Sequence, residues 1–150
     1  ELEFPSNRLA NPYYIRRPST LDDRLTRGGP VVRKTGNHNV SLFVQSDQRR
    51  DFSLSSNPNY GWNEAGLDGY YVNLFLTWRT PRVTLTTGPD YGKSTSPYQY
   101  VYAVDDPTNT EFFGRRYVFG ELDQRTVSMS TRANITFSPD LTLELVATPI

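Results

Sequence analysis

The chain has 150 residues, with 16 basic residues balanced by 16 acidic ones. One ordinary domain fits that length, and zero net charge argues against a general nucleic-acid binder, since phosphate binding needs surplus positive charge. The absence of cysteine excludes a disulfide framework, a thiolate metal site and a cysteine nucleophile, and the single histidine, His38, excludes any site needing two.

Residues 1–37 read as an irregular, proline- and glycine-rich lead-in. Pro5, Pro12, Pro18, Pro30, Gly28, Gly29 and Gly36 interrupt every candidate element, which leaves room only for a short extended piece near Pro12–Arg16. Nine of the 16 basic residues fall between Arg8 and Arg50, a bias that reads most simply as a solvated segment.

Over 38–150 the pattern changes to period two, and an antiparallel β-meander is expected. Val40, Leu42 and Val44 alternate with Ser41, Phe43 and Gln45, and a turn follows at Asp47–Arg50. Phe52 and Leu54 lead toward Tyr60 and Trp62, and residues 63–69 form a longer connection. Val72, Leu74, Leu76 and Trp78 then alternate with Tyr71, Asn73, Phe75 and Thr77, up to a tight turn at Thr80–Arg82. Val83, Leu85 and Thr87 open the next strand, which passes into a tyrosine-rich stretch and a loop at Asp105–Asn109. A long extended run covers Arg115–Phe137, and a tight turn at Ser138–Asp140 returns the chain through Leu141, Leu143 and Leu145. No segment carries apolar residues at helical spacing, and none approaches the roughly 20 apolar residues of a membrane-spanning helix.

Alternation alone fits two environments: a soluble sheet hides its apolar face in a core, whereas a transmembrane barrel turns it to lipid. Three features favour the barrel. Several predicted strands reach the roughly 9–11 residues needed to span a bilayer. The short turns at 48–50, 80–82 and 138–140 fall at one end of the meander, and the longer loops fall at the other. Aromatic residues gather at both ends, with Phe52, Trp78 and Phe137 as an interface girdle beside the short turns and Tyr60, Trp62, Tyr70, Tyr91 and Tyr98 opposite. The runner-up is a soluble β-sandwich that binds carbohydrate through a tyrosine-rich face.

The best candidates for ligand binding are Trp62, Tyr70, Tyr91, Tyr98, Tyr100 and Tyr102, because flat rings stack on sugar faces and their hydroxyls orient a ligand. No metal, cofactor or catalytic site is expected. Asp105, Asp106 and Asn109 carry cation-type oxygens but match a turn composition, and Asp22 and Asp23 have arginines beside them with which to pair. Gly28-Gly29-Pro30 reads as a turn rather than an anion-binding nest, and His38 has no ligating or nucleophilic partner in sequence. Asn39-Val-Ser41 and Asn134-Ile-Thr136 match a glycosylation sequon but lie within predicted strands.

Two stretches carry a family resemblance: LDDRLTRGGP over 21–30 and GRRYVFGELDQRTVSMSTRANITFSPDLTLEL over 114–145. They resemble the barrel region of large bacterial proteins that join an N-terminal carbohydrate-binding, family-9-like module to a C-terminal outer-membrane β-barrel akin to a TonB-dependent receptor. The resemblance implies a non-enzymatic outer-membrane barrel segment, a pore or receptor linked to carbohydrate binding or uptake. Its implied partners are the lipid bilayer, carbohydrate and the remaining strands of the parent barrel. The chain begins at Glu1 and its one methionine is Met129, so a processed chain or an incomplete piece of the barrel is expected.

Overall fold

The computed structural model describes residues 2–148. Strands make up 69% of the chain, and among the described residues there is no α-helix. The strands are β1 (Leu2–Glu3), β2 (Leu9–Arg17), β3 (Thr20–Asp22), β4 (Val32–Lys34), β5 (Asn37–Gln45), β6 (Phe52–Ser56), β7 (Asn59–Trp62), β8 (Asp68–Arg79), β9 (Val83–Asp105), β10 (Arg115–Ser138) and β11 (Leu141–Ala147). All the strands except β3 and β4 form one antiparallel sheet in the order β1-β2-β5-β6-β8-β9-β10-β11, with β7 continuing β6 between β5 and β8. Strands β3 and β4 make a separate two-stranded hairpin. The expected antiparallel meander is therefore the fold.

Period-two sequence sets the strands, and turn chemistry ends them. Asp47 accepts the backbone N–H of Arg49 and also its guanidinium, which fixes the turn after β5. Thr80 accepts the Val83 N–H at 2.9 Å and closes the turn before β9. Asn57 and Pro58 interrupt β6 and β7 without shifting their register against β5, and Asn73 satisfies the gap by accepting the Asn57 N–H at 2.6 Å.

The lead-in differs from its sequence reading. Strand β2 runs through Pro12 and pairs along all nine of its residues with β5. The strand tolerates proline because of its position. Leu42, opposite Pro12, gives its N–H to Pro58 on the other side, so the missing donor of Pro12 falls toward the sheet edge.

Register assigns each residue to a face. One face carries Val40, Leu42, Leu54, Val72, Leu74, Leu76, Leu85, Val127, Ile135, Leu143 and Leu145, aligned strand to strand. The other carries Asn39, Ser53, Asn73, Thr77, Thr86, Asp90, Ser128, Asn134 and Glu144. Among the described residues no hydrophobic side chain is buried. The apolar face is the exposed one: Val72, Leu74 and Leu76 are 40%, 42% and 45% exposed, whereas Asn73, Phe75 and Thr77 between them are half-buried. A sheet with an internal core has the opposite arrangement.

Candidate functional site

The polar face carries an open pocket of about 510 Å³. Arg17 of β2, Asn39 of β5, Tyr71 of β8, and Gln124 and Thr126 of β10 all line it. Laid flat, six neighbouring strands would hold β2 and β10 about 24 Å apart, so the sheet bends around this face. The polar face is concave and the apolar face convex.

The cavity floor is made of backbone. Gly61 pairs with Gly69, and Gly92 lies beside Tyr71 on the same face. A Cβ at Gly69 would sit 3.0 Å from Ser94 Cβ, so glycine there keeps the floor open. The walls combine amides and hydroxyls with the charged residues Arg17, Asp68 and Lys93, and the Asn37 Oδ1 is buried with no hydrogen-bond partner among the described residues. Farther along the concave face, Tyr71 and Ser128 both donate to Asp90, at 2.7 and 3.4 Å. At the short-turn end Arg79 donates to the Gln48 carbonyl and to Ser53 Oγ, each at 2.9 Å, and Ser53 is 3% exposed. Arg132 pairs with Glu144. The surface is polar and hydrogen-bonding.

Residues 18–36, between β2 and β5, fold back over the long-loop end of the sheet. The Arg27 guanidinium lies 5.1 Å above the Tyr100 ring, and the Lys34 ammonium lies 5.8 Å from the Tyr98 ring. Gly29 is so close to Tyr117 that a Cβ there would fall 2.3 Å from its ring. The local fold supports the span. Asp22 accepts the Arg24 and Leu25 N–H groups, and the turn passes through Arg27 and Gly28 at φ 50° and 95°. Thr26 donates to the Pro30 carbonyl at 2.8 Å. The segment thus bridges from the β2–β5 side of the sheet to β9 and β10.

The six aromatic residues singled out in sequence fall into two environments. Trp62, Tyr70 and Tyr91 lie on the convex face, in a row that begins at Tyr14 and His38. Ring centroids are 5.9 Å apart for Tyr14–His38, 5.3 Å for His38–Trp62, 5.3 Å for Trp62–Tyr60 and 5.7 Å for Tyr70–Tyr91. Tyr98 and Tyr100 hold the folded-back segment, and Tyr102 is exposed farther along β9. The six therefore lie in separate parts of the sheet. The three girdle residues all lie at the short-turn end. Phe52 and Trp78 are paired and stacked at 6.3 Å, and Phe137 occupies a β-bulge in β10.

The remaining candidates are occupied locally. Asp106 accepts from Thr108 and Arg116, which hold its carboxyl below the usual carboxylate range. Asp105 pairs with Arg115, and the Asn109 amide donates to the Arg115 carbonyl. Asp22 caps its own turn. Among the described residues no group of His, Cys, Asp and Glu side chains is arranged to hold a metal ion.

Sequence reasoning missed this polar pocket. Its signal is faint but present: Gly61, Gly69 and Gly92 each fall on the polar side of their strand's alternation. Comparison with protein-family models, with curated proteins and with solved structures finds no match.

Proposed function

We propose that the chain forms wall strands of a bacterial outer-membrane β-barrel, with its convex face toward lipid and its concave face lining an aqueous pore or receptor lumen. One observation carries the reading: an exposed aliphatic band on one face, bounded at both ends by aromatic rows, on a sheet whose described residues bury no hydrophobic side chain. Such a band is costly in water and stabilising in hydrocarbon, and amphipathic rings suit headgroup depth.

The dimensions support it. Tyr70 and Trp78, at opposite ends of the band on β8, are separated by about 27 Å along the strand, or about 21 Å at a tilt of about 40°. That is close to the roughly 25 Å band of such barrels. Strand β2 beyond its two residues paired with β1, and strand β11, present open edges, which a closed barrel takes up with its remaining strands. The resemblance of 21–30 and 114–145 to barrel segments supports the same reading and adds a link to carbohydrate. In this reading the polar pocket, rather than the tyrosine set, is where a polar solute meets the wall.

The test uses the full-length protein containing this chain. Membrane fractionation is combined with gel mobility of boiled and unboiled detergent samples. In phosphatidylcholine vesicles, bromine-labelled lipids then report the depth of Trp62 and Trp78. The expected result is a membrane-bound, heat-modifiable protein whose tryptophans are quenched most strongly by labels near the headgroups. A soluble protein without a mobility shift or quenching overturns the reading.

A further inference from the structure

Beyond the membrane reading, a second cleft lies where β2 ends and β5 begins. It encloses about 330 Å³ and is lined by Arg16, Arg17, Ser19, Arg33, His38 and Glu64, among others. Arg16 faces the convex side in register with His38, Arg17 faces the concave side, and Arg33 comes from β4 of the folded-back hairpin. Gly36 holds the two walls together: a Cβ there would fall 2.5 Å from the Arg17 carbonyl oxygen.

Three arginines thus line one small cleft, Arg16 and Arg17 from opposite faces of the strand end and Arg33 from the hairpin, and none of them forms an ion pair among the described residues. The carboxylates nearby are engaged or unpaired with them. Asp22 spends its Oδ1 on two backbone N–H groups, and Glu64, the one acid lining the cleft, bridges to no arginine. Arg33 is also oriented. Its Nε and Nη2 both donate to Ser19 Oγ, at 3.2 and 3.0 Å, which leaves the other edge of its fork open.

We propose that this cleft binds a phosphoryl group, carried by a soluble phosphate compound or by a lipid headgroup. Like charges around one space repel, and an anion among them relieves that repulsion. A guanidinium fork matches phosphate oxygens in two-point hydrogen bonds, and a tetrahedral dianion has enough oxygens for several forks. A lone carboxylate serves one fork. The cleft adjoins the Tyr14–His38–Trp62 row, so on the barrel reading it sits at headgroup depth, whereas the soluble source needs no membrane.

The experiment measures two kinds of binding by the full-length protein. One is inorganic pyrophosphate binding by calorimetry in a non-ionic detergent. The other is retention on phosphatidylcholine vesicles with and without phosphatidic acid. The variants are Arg16→Gln with Arg17→Gln, and Arg33→Gln alone, which keeps a donor for Ser19 while removing the charge. Arg49→Gln with Arg50→Gln removes equal charge at the far end of β5 as a control. The cleft variants are expected to weaken one arm roughly tenfold or more, the scale of a lost charge-assisted hydrogen bond. Loss of pyrophosphate binding assigns the soluble source, and loss confined to the phosphatidic-acid vesicles assigns the headgroup. The proposal is overturned if the unaltered protein binds neither probe. It is also overturned if the cleft variants bind as it does, or if the control pair loses as much as they do.

Discussion

The hairpin of β9 and β10 is two structures in one. From Val83 to Thr95 it pairs with Asp123–Ile135 in unbroken register, and as far as the Tyr91–Val127 pair one side is mainly apolar and the other polar. Above that pair Lys93, Arg125 and Asp123 occupy the formerly apolar side, and beyond Ser96 the register slips twice, near Phe119 and near Glu121. The lower half keeps period two because a one-residue slip would turn an aliphatic row to the wrong face. The upper half has no such row to keep. Its bulges add twist and re-aim side chains, and Tyr98, Tyr100 and Tyr117 receive the folded-back segment there. Regular pairing maintains a surface in the lower half, and irregular pairing builds a contact in the upper one.

Substitutions should separate these halves. The largest effect is expected in the lower half, at the middle of the convex band. Leu76→Arg should cost about 2–4 kcal/mol of membrane-folded stability, while Thr77→Arg on the concave face should be tolerated. Urea titration of vesicle-folded protein checks this, and equal losses would break the assignment of faces. Gly88→Ala comes next, because its Cβ would fall 1.8 Å from the Leu74 carbonyl oxygen. Backbone must move to accept it, so a loss near 3 kcal/mol, about the upper range for overpacking, should appear in the same titration.

Arg79→Ala removes the donors to Gln48 and Ser53 at the short-turn end of the concave face. A loss of about 1–3 kcal/mol follows from leaving part-buried acceptors without this donor, and Arg79→Lys should recover only part of it. In the upper half the effects should be smaller and local. Arg27→Ala or Tyr100→Ala removes a cation–π contact of about 0.5–1 kcal/mol. Residues 24–34 should then be cleaved faster by trypsin at Arg24, Arg33 and Lys34, the sites common to both variants, with no change in the lower sheet. Equal cleavage rates would show that Tyr100 does not anchor the segment.

The smallest effect concerns acid. Thr108 and Arg116 lower the Asp106 carboxyl from its ordinary value of 3.8. A depressed folded value means that this loop is stabilised above the ordinary value and loses that contribution as pH falls through the lower one. Hydrogen exchange at 106–116, corrected for intrinsic rates, should therefore rise only below about pH 3.8, and Asp106→Asn should abolish the change.

Much of this was legible in the residues themselves. Alternation in 38–150 located the strands and their faces, and Asp47–Arg50, Thr80–Arg82 and Ser138–Asp140 marked the short turns. Strand β2 was harder to read because proline signals a break, and its tolerance depends on which side of Pro12 lies open. The tyrosines, grouped in sequence by proximity, divide between two environments. Tyr91 and Tyr98 are seven residues apart, yet one belongs to the convex row and the other to the contact with Lys34.

The sequence by itself determined the all-β class, the strand faces and the turn positions, because each depends on neighbours within a few residues. Only the tertiary structure decided which face is concave, where 18–36 docks and that three arginines share a cleft. Those outcomes depend on pairing across the sheet and on its curvature, which bring Arg17 near Thr126 and Arg27 over Tyr100 across long stretches of chain.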